Sequence, residues 1–185
     1  MAEIYDAFYR TCTYCADGCD RAREVLPEII AAHVAGMRIL DLGCGRGHVV
    51  AALRRAGLTA YGLDPALPGS PTHCLRGEFF DLISLADDFA TITAFDVLEH
   101  IHPDEIGAFL SAIRISCQRA CFAIANMSDI HDVDGVPTQL PLIQEQPAWW
   151  MRLLADRGFR HLRLQPLPYP ERFFIWAGPW PFFTE

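Results

Sequence analysis

Apolar and polar positions along this chain fall into short runs with two alternating periodicities. Seven runs have the length and composition of strands: residues 38–42, 59–64, 72–76, 90–97, 121–125, 162–164 and 173–177. Helical spacing of apolar residues marks four further stretches: 20–35, 48–56, 102–113 and 147–157. Strands that alternate with helices predict an α/β fold built on an open, mostly parallel sheet.

Glycine and proline residues set the expected bounds of the helices. Gly57 and Gly158 follow two helical stretches directly and are placed to end them. Pro103 is followed by two acidic residues, which is typical of the first turn of a helix. Pro27 interrupts the stretch 20–35, so one kinked helix or two short helices fit there.

Two connecting segments depart from a regular alternation of strands and helices. Residues 65–71 (PALPGSP) follow the second strand and are rich in helix breakers. A parallel crossover usually needs a dozen or more residues, so a loop is predicted there instead of a helix. Residues 127–146 show no clear period and are predicted to form a long irregular segment.

Three glycines at alternate positions follow the first strand, within residues 41–47 (DLGCGRG). A dinucleotide-binding G-x-G-x-x-G loop needs its third glycine at position 48, which is His48. A phosphate-binding P-loop needs a lysine, and the chain contains none. The remaining interpretation is a turn in which backbone can approach a ligand closely, preceded by Asp41.

Three segments, in order, resemble motifs of the class I S-adenosylmethionine-dependent methyltransferases. Residues 41–47 resemble the first motif, residues 61–64 (YGLD) the second strand with its ribose-binding acid, and residues 95–101 (FDVLEHI) the fourth-strand segment. The resemblance covers residues 37–178, and three ordered pieces are more specific than one glycine loop. It implies a three-layer, Rossmann-like open twisted sheet, mostly parallel with one antiparallel edge strand, with helices on both faces.

The same resemblance assigns residues near the strand ends to S-adenosylmethionine, with S-adenosylhomocysteine as the product. The implied cofactor-binding residues are Tyr9, Asp41, Gly43, Cys44, Gly45, Gly47, Asp64, Pro65, Glu78, Asp96 and Val97. Asp64 is expected to bind the ribose hydroxyls and Asp41 to lie near the ammonium of the methionine part. A turn acid without a ligand is the alternative for Asp64, and an ordinary docking helix is the alternative for Tyr9.

His100 is the candidate catalytic residue. If the acceptor is a hydroxyl, a base must remove its proton, and a histidine titrates near neutral pH. The alternative is that His100 orients the following loop, because Glu-His recurs in family members with many different substrates. Asn126 and His131 lie where the family often builds acceptor sites, so they are the candidate substrate-binding residues.

Composition limits the classes of partner and compartment. The net charge of −8 argues against a broad nucleic-acid-binding surface, which needs clustered cations. The chain has no apolar run of 18 residues, so no membrane span is expected. Its acidic start (MAEIYD) does not resemble a secretory signal. Seven cysteines without an export signal predict reduced thiols and a cytoplasmic protein.

Neither of two possible metal motifs predicts a metal site. Cys12, Cys15 and Cys19 lack an evident fourth zinc ligand, and their spacing also places small apolar side chains on one helical face. Residues 132–135 (DVDG) mimic part of a calcium-binding EF-hand loop. The ligand expected at the twelfth position of that loop would be Pro141, which cannot serve.

The chain is expected to form one methyltransferase domain over residues 1–185. Residues 1–36 would be a helical lead-in that covers the cofactor site, 37–178 the Rossmann-like core, and 179–185 an apolar tail. The tail either packs on its own sheet or provides a homodimer surface. The predicted function is methyl transfer to a small polar acceptor, at oxygen or nitrogen of a metabolite, sugar or nucleotide. The alternatives are a non-catalytic or partner-dependent subunit of the same fold, and a nucleic-acid or protein methyltransferase that works in a complex.

Overall fold

The computed structural model describes residues 17–67, 69–83, 89–126, 129–133, 136–167 and 171–181. Its strands are β1 (Arg38–Leu42), β2 (Thr59–Asp64), β3 (Cys74–Arg76), β4 (Phe89–Phe95), β5 (Cys117–Ala125), β6 (Asp129–Val133), β7 (Val136–Leu140), β8 (Arg163–Pro166) and β9 (Arg172–Ala177). Its helices are α1 (Asp17–Ala31), α2 (His48–Arg55), α3 (Ile106–Ser116) and α4 (Pro147–Asp156), with short 3-10 helices at Phe79–Ile83 and Leu98–His100.

Seven of these strands form one sheet in the order β3-β2-β1-β4-β5-β9-β8. Strands β1 to β5 pair in parallel, whereas β9 is antiparallel to both of its neighbours, β5 and β8. The predicted fold class is therefore confirmed. The single antiparallel strand lies one position inside the edge strand β8.

Helices cover both faces of this sheet. Helices α1 and α2 contribute to one core with Val25, Ile29, Val50 and Leu53. Helices α3 and α4 contribute to the other core with Phe109, Leu110, Trp150 and Leu154. Along β9, Phe174 and Trp176 face the first core while Phe173 and Ile175 face the second, as the alternation of a strand buried on both faces requires.

Several element bounds agree with the expectation from sequence. Strands β1 and β2 begin and end at the expected residues. Gly57 and Gly158 follow α2 and α4 with φ of 86° and 85°, the left-handed conformation that suits glycine after a helix. Helix α1 is one continuous helix that contains Pro27, so of the two arrangements considered for this stretch the single helix is correct.

The crossover between β2 and β3 has no helix in its described part, as predicted. Ala66 and Leu67 are buried against the sheet, and residues 72–73 form a turn before β3. Strand β3 is therefore shorter than predicted, with only three residues. As the edge strand it leaves Leu75 exposed.

Several bounds were predicted wrongly, among them those of α3, β4 and β5. Helix α3 begins at Ile106 and not near Pro103, because residues 102–105 form a preceding turn in which the Ile106 N–H donates to the His102 carbonyl at 3.0 Å. Strand β4 ends at Phe95, so Asp96 and Val97 belong to the following loop. Strand β5 begins at Cys117, directly after α3, and pairs with Phe89 of β4.

The prediction of an irregular segment at 127–146 was also wrong. Strands β6 and β7 form an antiparallel hairpin that is separate from the main sheet. Val133 pairs with Val136, which leaves two residues, Asp134 and Gly135, between the strands. Asp-Gly between two alternating runs is a strong hairpin signal, and it was available in the sequence.

The apolar tail packs on its own sheet as far as the structure describes it. Trp180 is 3% exposed and its ring lies edge-on to Trp176, with centroids 4.8 Å apart. The Trp180 N–H donates to the Ala177 carbonyl at 3.1 Å. This aromatic side chain is therefore part of the core. None of the helices in the described residues has the length and hydropathy needed to cross a membrane.

Candidate active site

The loops after β1, β2, β3, β4 and β5 lie at one edge of the sheet, where the carboxyl ends of these parallel strands meet. Ligands of open α/β sheets bind at this edge. Backbone hydrogen bonds join the loops to each other: the Gly43 N–H donates to Leu63 at 2.8 Å and the Asp96 N–H to Ala123 at 3.0 Å. Residues that are far apart in the sequence are thereby held in one candidate site.

The glycine loop has a conformation that other residues adopt only with strain. Gly43, Gly45 and Gly47 have φ of 66°, 50° and 73°. A Cβ on Gly43 would lie 2.3 Å from Cγ2 of Val97, and a Cβ on Gly47 would lie 2.8 Å from Sγ of Cys74. Packing against neighbouring loops therefore already requires glycine at two of these positions.

Asp64 at the end of β2 fixes the shape of this loop. Its carboxylate is buried and accepts the N–H of Gly45 at 2.9 Å and the N–H of Ala66 at 2.8 Å. These two bonds join the glycine loop and the turn after β2 to one carboxylate. Pro65, which lies between Asp64 and Ala66 in the sequence, is half-buried.

Asp41 is a buried carboxyl of the candidate site with a raised pKa. It is buried on β1 and accepts a 2.7 Å hydrogen bond from the Thr93 hydroxyl of the adjacent strand β4. Burial raises its pKa from 3.8 to about 7, the Thr93 hydrogen bond lowers it, and the nearby charge of Asp64 raises it further. A cation placed beside Asp41 would therefore stabilise its ionised form.

The side chain of Cys44 lies beneath the glycine loop, so only the backbone of this residue is placed to contact a ligand. Its side chain is buried in the core that α1 and α2 cover. A Cβ on Gly62 of β2 would lie 2.5 Å from the Cys44 sulfur and 2.8 Å from the Cys74 sulfur, so the two thiols fill the space beside this glycine. Burial is the main cause that raises the pKa of both thiols.

Glu78 follows β3 at the same edge of the sheet. The Gly77 N–H donates to the Asp64 carbonyl at 3.2 Å, which places residues 77–78 beside the second loop. The Glu78 side chain is exposed, and its N–H donates to the carboxylate of Asp81 at 2.9 Å. The turn is thus held by Asp81, and the Glu78 carboxylate lies at the surface.

Asp96 and Val97 form the start of the loop after β4. Asp96 has φ of 56°, a left-handed conformation that aspartate tolerates better than most residues. Val97 is buried and contacts the glycine loop at Gly43. A strained backbone beside a ligand-binding edge is typical of functional sites.

Glu99 is a residue of the site that the sequence analysis did not single out. It is 0% exposed, and its Oε1 accepts the N–H of Ala125 at the end of β5, at 2.8 Å. Its backbone carbonyl accepts the N–H groups of Leu142 and Ile143, at 2.8 and 2.9 Å. Glu99 thus connects the loop after β4, the end of β5 and the segment after the hairpin. A carboxylate inside an otherwise apolar segment was the available signal.

His100 is the last residue of the 3-10 helix that follows β4. Its N–H donates to the Val97 carbonyl at 3.0 Å, and the residue is half-buried. It therefore lies in the loop that borders the cofactor edge. Its roles as base or as loop-orienting residue both stay predictions.

The candidate acceptor residues lie on the far side of that loop. Asn126 follows β5, and its N–H donates to the Glu171 carbonyl at 2.7 Å. His131 is on β6, opposite Thr138 of β7. The roles of Asn126 and His131 in substrate binding stay predictions.

Tyr9 and the cysteines that were considered for zinc lie outside the described part. Tyr9, Cys12 and Cys15 precede residue 17, and the side chain of Cys19 is likewise not described. Within the described residues, no group of three or more histidine, cysteine, aspartate or glutamate side chains could hold a metal ion.

Comparison with known proteins first gives a family model. The model described as "Methyltransferase domain" matches residues 11–166 of this chain. Ubiquinone biosynthesis O-methyltransferase of Rhodopseudomonas palustris is 31% identical over 87 residues, which are 41% of this chain and 34% of that protein. The chain thus spans about a third of the length of the curated relative that it matches.

Solved structures show the same fold. The DhpI–SAH complex aligns with a TM-score of 0.70 and 18% identity, over 97% of this chain and 95% of that one. A SAM-dependent methyltransferase from Archaeoglobus fulgidus aligns with a TM-score of 0.65 and 14% identity, over 87% of this chain and 92% of that one. Together with the family match, these likenesses agree with the three motifs and the strand order. The chain therefore belongs to the methyltransferase domain family, and it shares its fold with solved S-adenosylmethionine-dependent methyltransferases.

Proposed function

We propose that this chain transfers a methyl group from S-adenosylmethionine to a small polar acceptor, at an oxygen or a nitrogen atom. The observation that carries the proposal is the pair of buried carboxylates, Asp41 and Asp64, beside a glycine loop with positive φ angles. Family membership supports the reaction type. The relative named as an O-methyltransferase supports an oxygen acceptor as one of the two options.

The residues present fit S-adenosylmethionine. The cofactor carries an ammonium, a sulfonium and two ribose hydroxyls, so it needs negative charge and hydrogen-bond acceptors. Asp41 supplies a carboxylate whose raised pKa leaves it ready to gain a cationic partner. Asp64 supplies acceptors for hydroxyls, with Glu78 further along the same edge, and the backbone of residues 43–47 lines the space between. Asp96 and Val97 border it from β4.

Methyl transfer depends more on the position of the acceptor than on acid–base catalysis. The bound cofactor would supply an already activated methyl group. The chain must hold the acceptor in line with that group and exclude water, which are proximity and orientation effects. We propose that the hairpin β6–β7, Asn126 and His131 form the acceptor side, and that His100 takes up the proton when the acceptor is a hydroxyl.

The state of the described thiols bears on the compartment in which the protein works. The four cysteines whose side chains are described, Cys44, Cys74, Cys117 and Cys121, are all free. Free buried thiols fit a reducing compartment. We therefore propose that the protein works in the cytoplasm on a small-molecule acceptor, and a homodimer through the tail stays a prediction.

Isothermal titration calorimetry with S-adenosylmethionine and S-adenosylhomocysteine tests the binding part. The wild-type chain should bind both, and Asp64→Asn should weaken both by about tenfold or more, since it removes a charged acceptor. Asp156→Asn is the matched control, because this exposed aspartate is the last residue of α4 and lies outside the candidate site. Absence of heat with both compounds, or equal behaviour of the two variants, would contradict the proposal.

Transfer itself is tested by following methyl-labelled cofactor with a panel of hydroxyl and amine acceptors. Labelled product from a small acceptor supports the proposed function. Binding without transfer to any member of the panel would favour the non-catalytic alternative. Transfer only after addition of a protein or nucleic-acid partner would favour the complex-dependent one.

A further inference from the structure

Two free cysteines from different parts of the sequence meet beneath the glycine loop. Cys44 lies between Gly43 and Gly45, and Cys74 is the first residue of the edge strand β3. A Cβ on Gly62, the residue of β2 that pairs with Cys74, would lie 2.5 Å from the Cys44 sulfur and 2.8 Å from the Cys74 sulfur. The two sulfurs therefore cannot be farther apart than these two distances combined. Because Gly62 has no side chain, the thiols share the space beside it.

Cys74 is the thiol that a reagent can reach. Its side chain is half-buried at the edge of the sheet, and both of its neighbours, His73 and Leu75, are exposed. Cys44, by contrast, is 8% exposed. Burial raises the pKa of both thiols, while the hydrogen bond between them lowers the pKa of Cys74 and raises that of Cys44. Cys74 is therefore the thiol that ionises first, and the thiolate is the form that attacks a disulfide.

Cys44 belongs to the part of the loop that is proposed to line the cofactor. Its carbonyl accepts the Gly47 N–H at 2.8 Å, and the next N–H, of Gly45, donates to Asp64 at 2.9 Å. A sulfur–sulfur bond is about 2.05 Å long, which is shorter than any contact between unbonded sulfurs. Formation of such a bond to Cys74 would therefore draw Cys44 towards β3. The backbone of the glycine loop, with its bond to Asp64, would have to move as well.

We propose that Cys44 and Cys74 are a redox modification site, at which oxidation joins their sulfurs in a reversible disulfide and weakens the binding of S-adenosylmethionine. The effect on binding rests on the proposed function, whereas the formation of the bond does not. In a reducing compartment, disulfides of this kind are transient and serve as redox sensors. The site would thus slow methyl transfer under oxidising conditions and release it again when thiols recover.

The oxidant in this proposal is a small disulfide, such as oxidised glutathione. The Cys74 thiol loses its proton, and the thiolate attacks one sulfur of the small disulfide, which breaks and releases one small thiol. The sulfur of Cys44 loses its proton in turn and attacks the Cys74 sulfur of the mixed disulfide, which releases the second small thiol. The two cysteines have then lost two protons and two electrons, and the small disulfide has taken up both pairs. Since burial raises the pKa of Cys74, the exchange becomes faster as the pH rises above neutral.

Peptide mapping of the full chain tests whether the bond forms. Trypsin cleaves after arginine, so Cys44 falls in peptide 39–46 and Cys74 in peptide 56–76, each of which contains no other cysteine. After incubation with oxidised glutathione and alkylation of the remaining thiols, mass spectrometry should find these two peptides joined, and dithiothreitol should separate them. Cys117→Ser, which replaces another half-buried cysteine at the start of β5, is the matched control and should give the same joined peptides. Absence of the joined peptides from the oxidised wild type would overturn the proposal.

Calorimetry with S-adenosylhomocysteine measures the consequence for binding. The oxidised wild type and oxidised Cys117→Ser should bind about tenfold more weakly than their reduced forms, and dithiothreitol should restore the affinity. Cys74→Ser should bind equally before and after oxidation, which separates this bond from reactions of the other cysteines. Joined peptides with unchanged affinity, or the same loss in Cys74→Ser, would also overturn the proposal. A reduced chain that does not bind at all counts against the proposed function instead, and the peptide map then still decides whether the bond forms.

Discussion

Replacement of Asp41 by asparagine is expected to stabilise the ligand-free chain while it weakens cofactor binding. Asp41 is buried, and burial raises its pKa from 3.8 to about 7. Asparagine has nearly the same shape, and its amide oxygen can still accept the hydrogen bond from Thr93. The substitution therefore removes the buried charge and little else.

The magnitude follows from the linkage between proton binding and stability. The folded chain binds this proton more tightly than the unfolded chain does. The stabilisation is therefore complete below about pH 4 and is lost as the pH rises to about 7. Between pH 5 and pH 7 the loss is about 2 kcal/mol, because the slope of 1.36 kcal/mol for each pH unit falls off as the pH approaches the folded pKa. Asp41→Asn has no such loss, so its advantage over the wild type should grow by about 2 kcal/mol over this range.

Urea denaturation at several pH values from 5 to 8 measures this difference directly. The difference between the two proteins isolates Asp41, because all other titrating groups are common to both. Cofactor affinity should move in the opposite sense: in the wild type it rises with pH towards 7, as the carboxylate forms beside the ammonium, and in Asp41→Asn it stays low. A stability difference that is independent of pH would refute the assignment of a raised pKa to Asp41.

Two further substitutions test the loops around the site. Gly43→Ala should destabilise the fold by about 3 kcal/mol, because it places an alanine in a left-handed conformation and brings its Cβ into collision with Val97. Gly57→Ala is the control: Gly57 also has a positive φ, but the space around it is open, so this substitution should cost about 1 kcal/mol in the same urea titration. His100→Gln should leave cofactor affinity unchanged and lower turnover by about 100-fold if His100 is the base. Wild-type turnover would remove it from the mechanism.

Much of the fold was predictable because local patterns and topology agree. Strands β1 and β2 are apolar runs bounded by clear turns, so their limits could be placed from sequence. The start of β5 could not, because Gln118 and Arg119 are polar residues in a strand whose position is set by pairing with β4. The hairpin β6–β7 had a usable signal in Asp134 and Gly135, which an interpretation based on acidic ligands overlooked.

The candidate site was predictable in position but not in its internal contacts. Parallel strands place their carboxyl ends at one edge, so the sequence positions of Asp41 and Asp64 were enough to locate it. The hydrogen bond from Gly45 to Asp64 and the burial that raises the pKa of Asp41 depend on packing between distant segments. The same holds for Glu99, a residue of a 3-10 helix whose partner Ala125 lies at the end of β5.

The way in which the hairpin is attached has a consequence for how such chains diversify. Residues 142–143, which follow it, are held at Glu99 by bonds between main-chain atoms, and β6 pairs with β7 rather than with the main sheet. Main-chain groups are common to all residues except for the missing N–H of proline, so this attachment makes almost no demand on the hairpin's side chains. The hairpin can accumulate substitutions, or be exchanged for that of another protein, while the glycine loop and the strand ends around it are left intact. If the hairpin forms the acceptor side, as proposed above, new acceptor preferences can evolve in it while the rest of the domain stays unchanged.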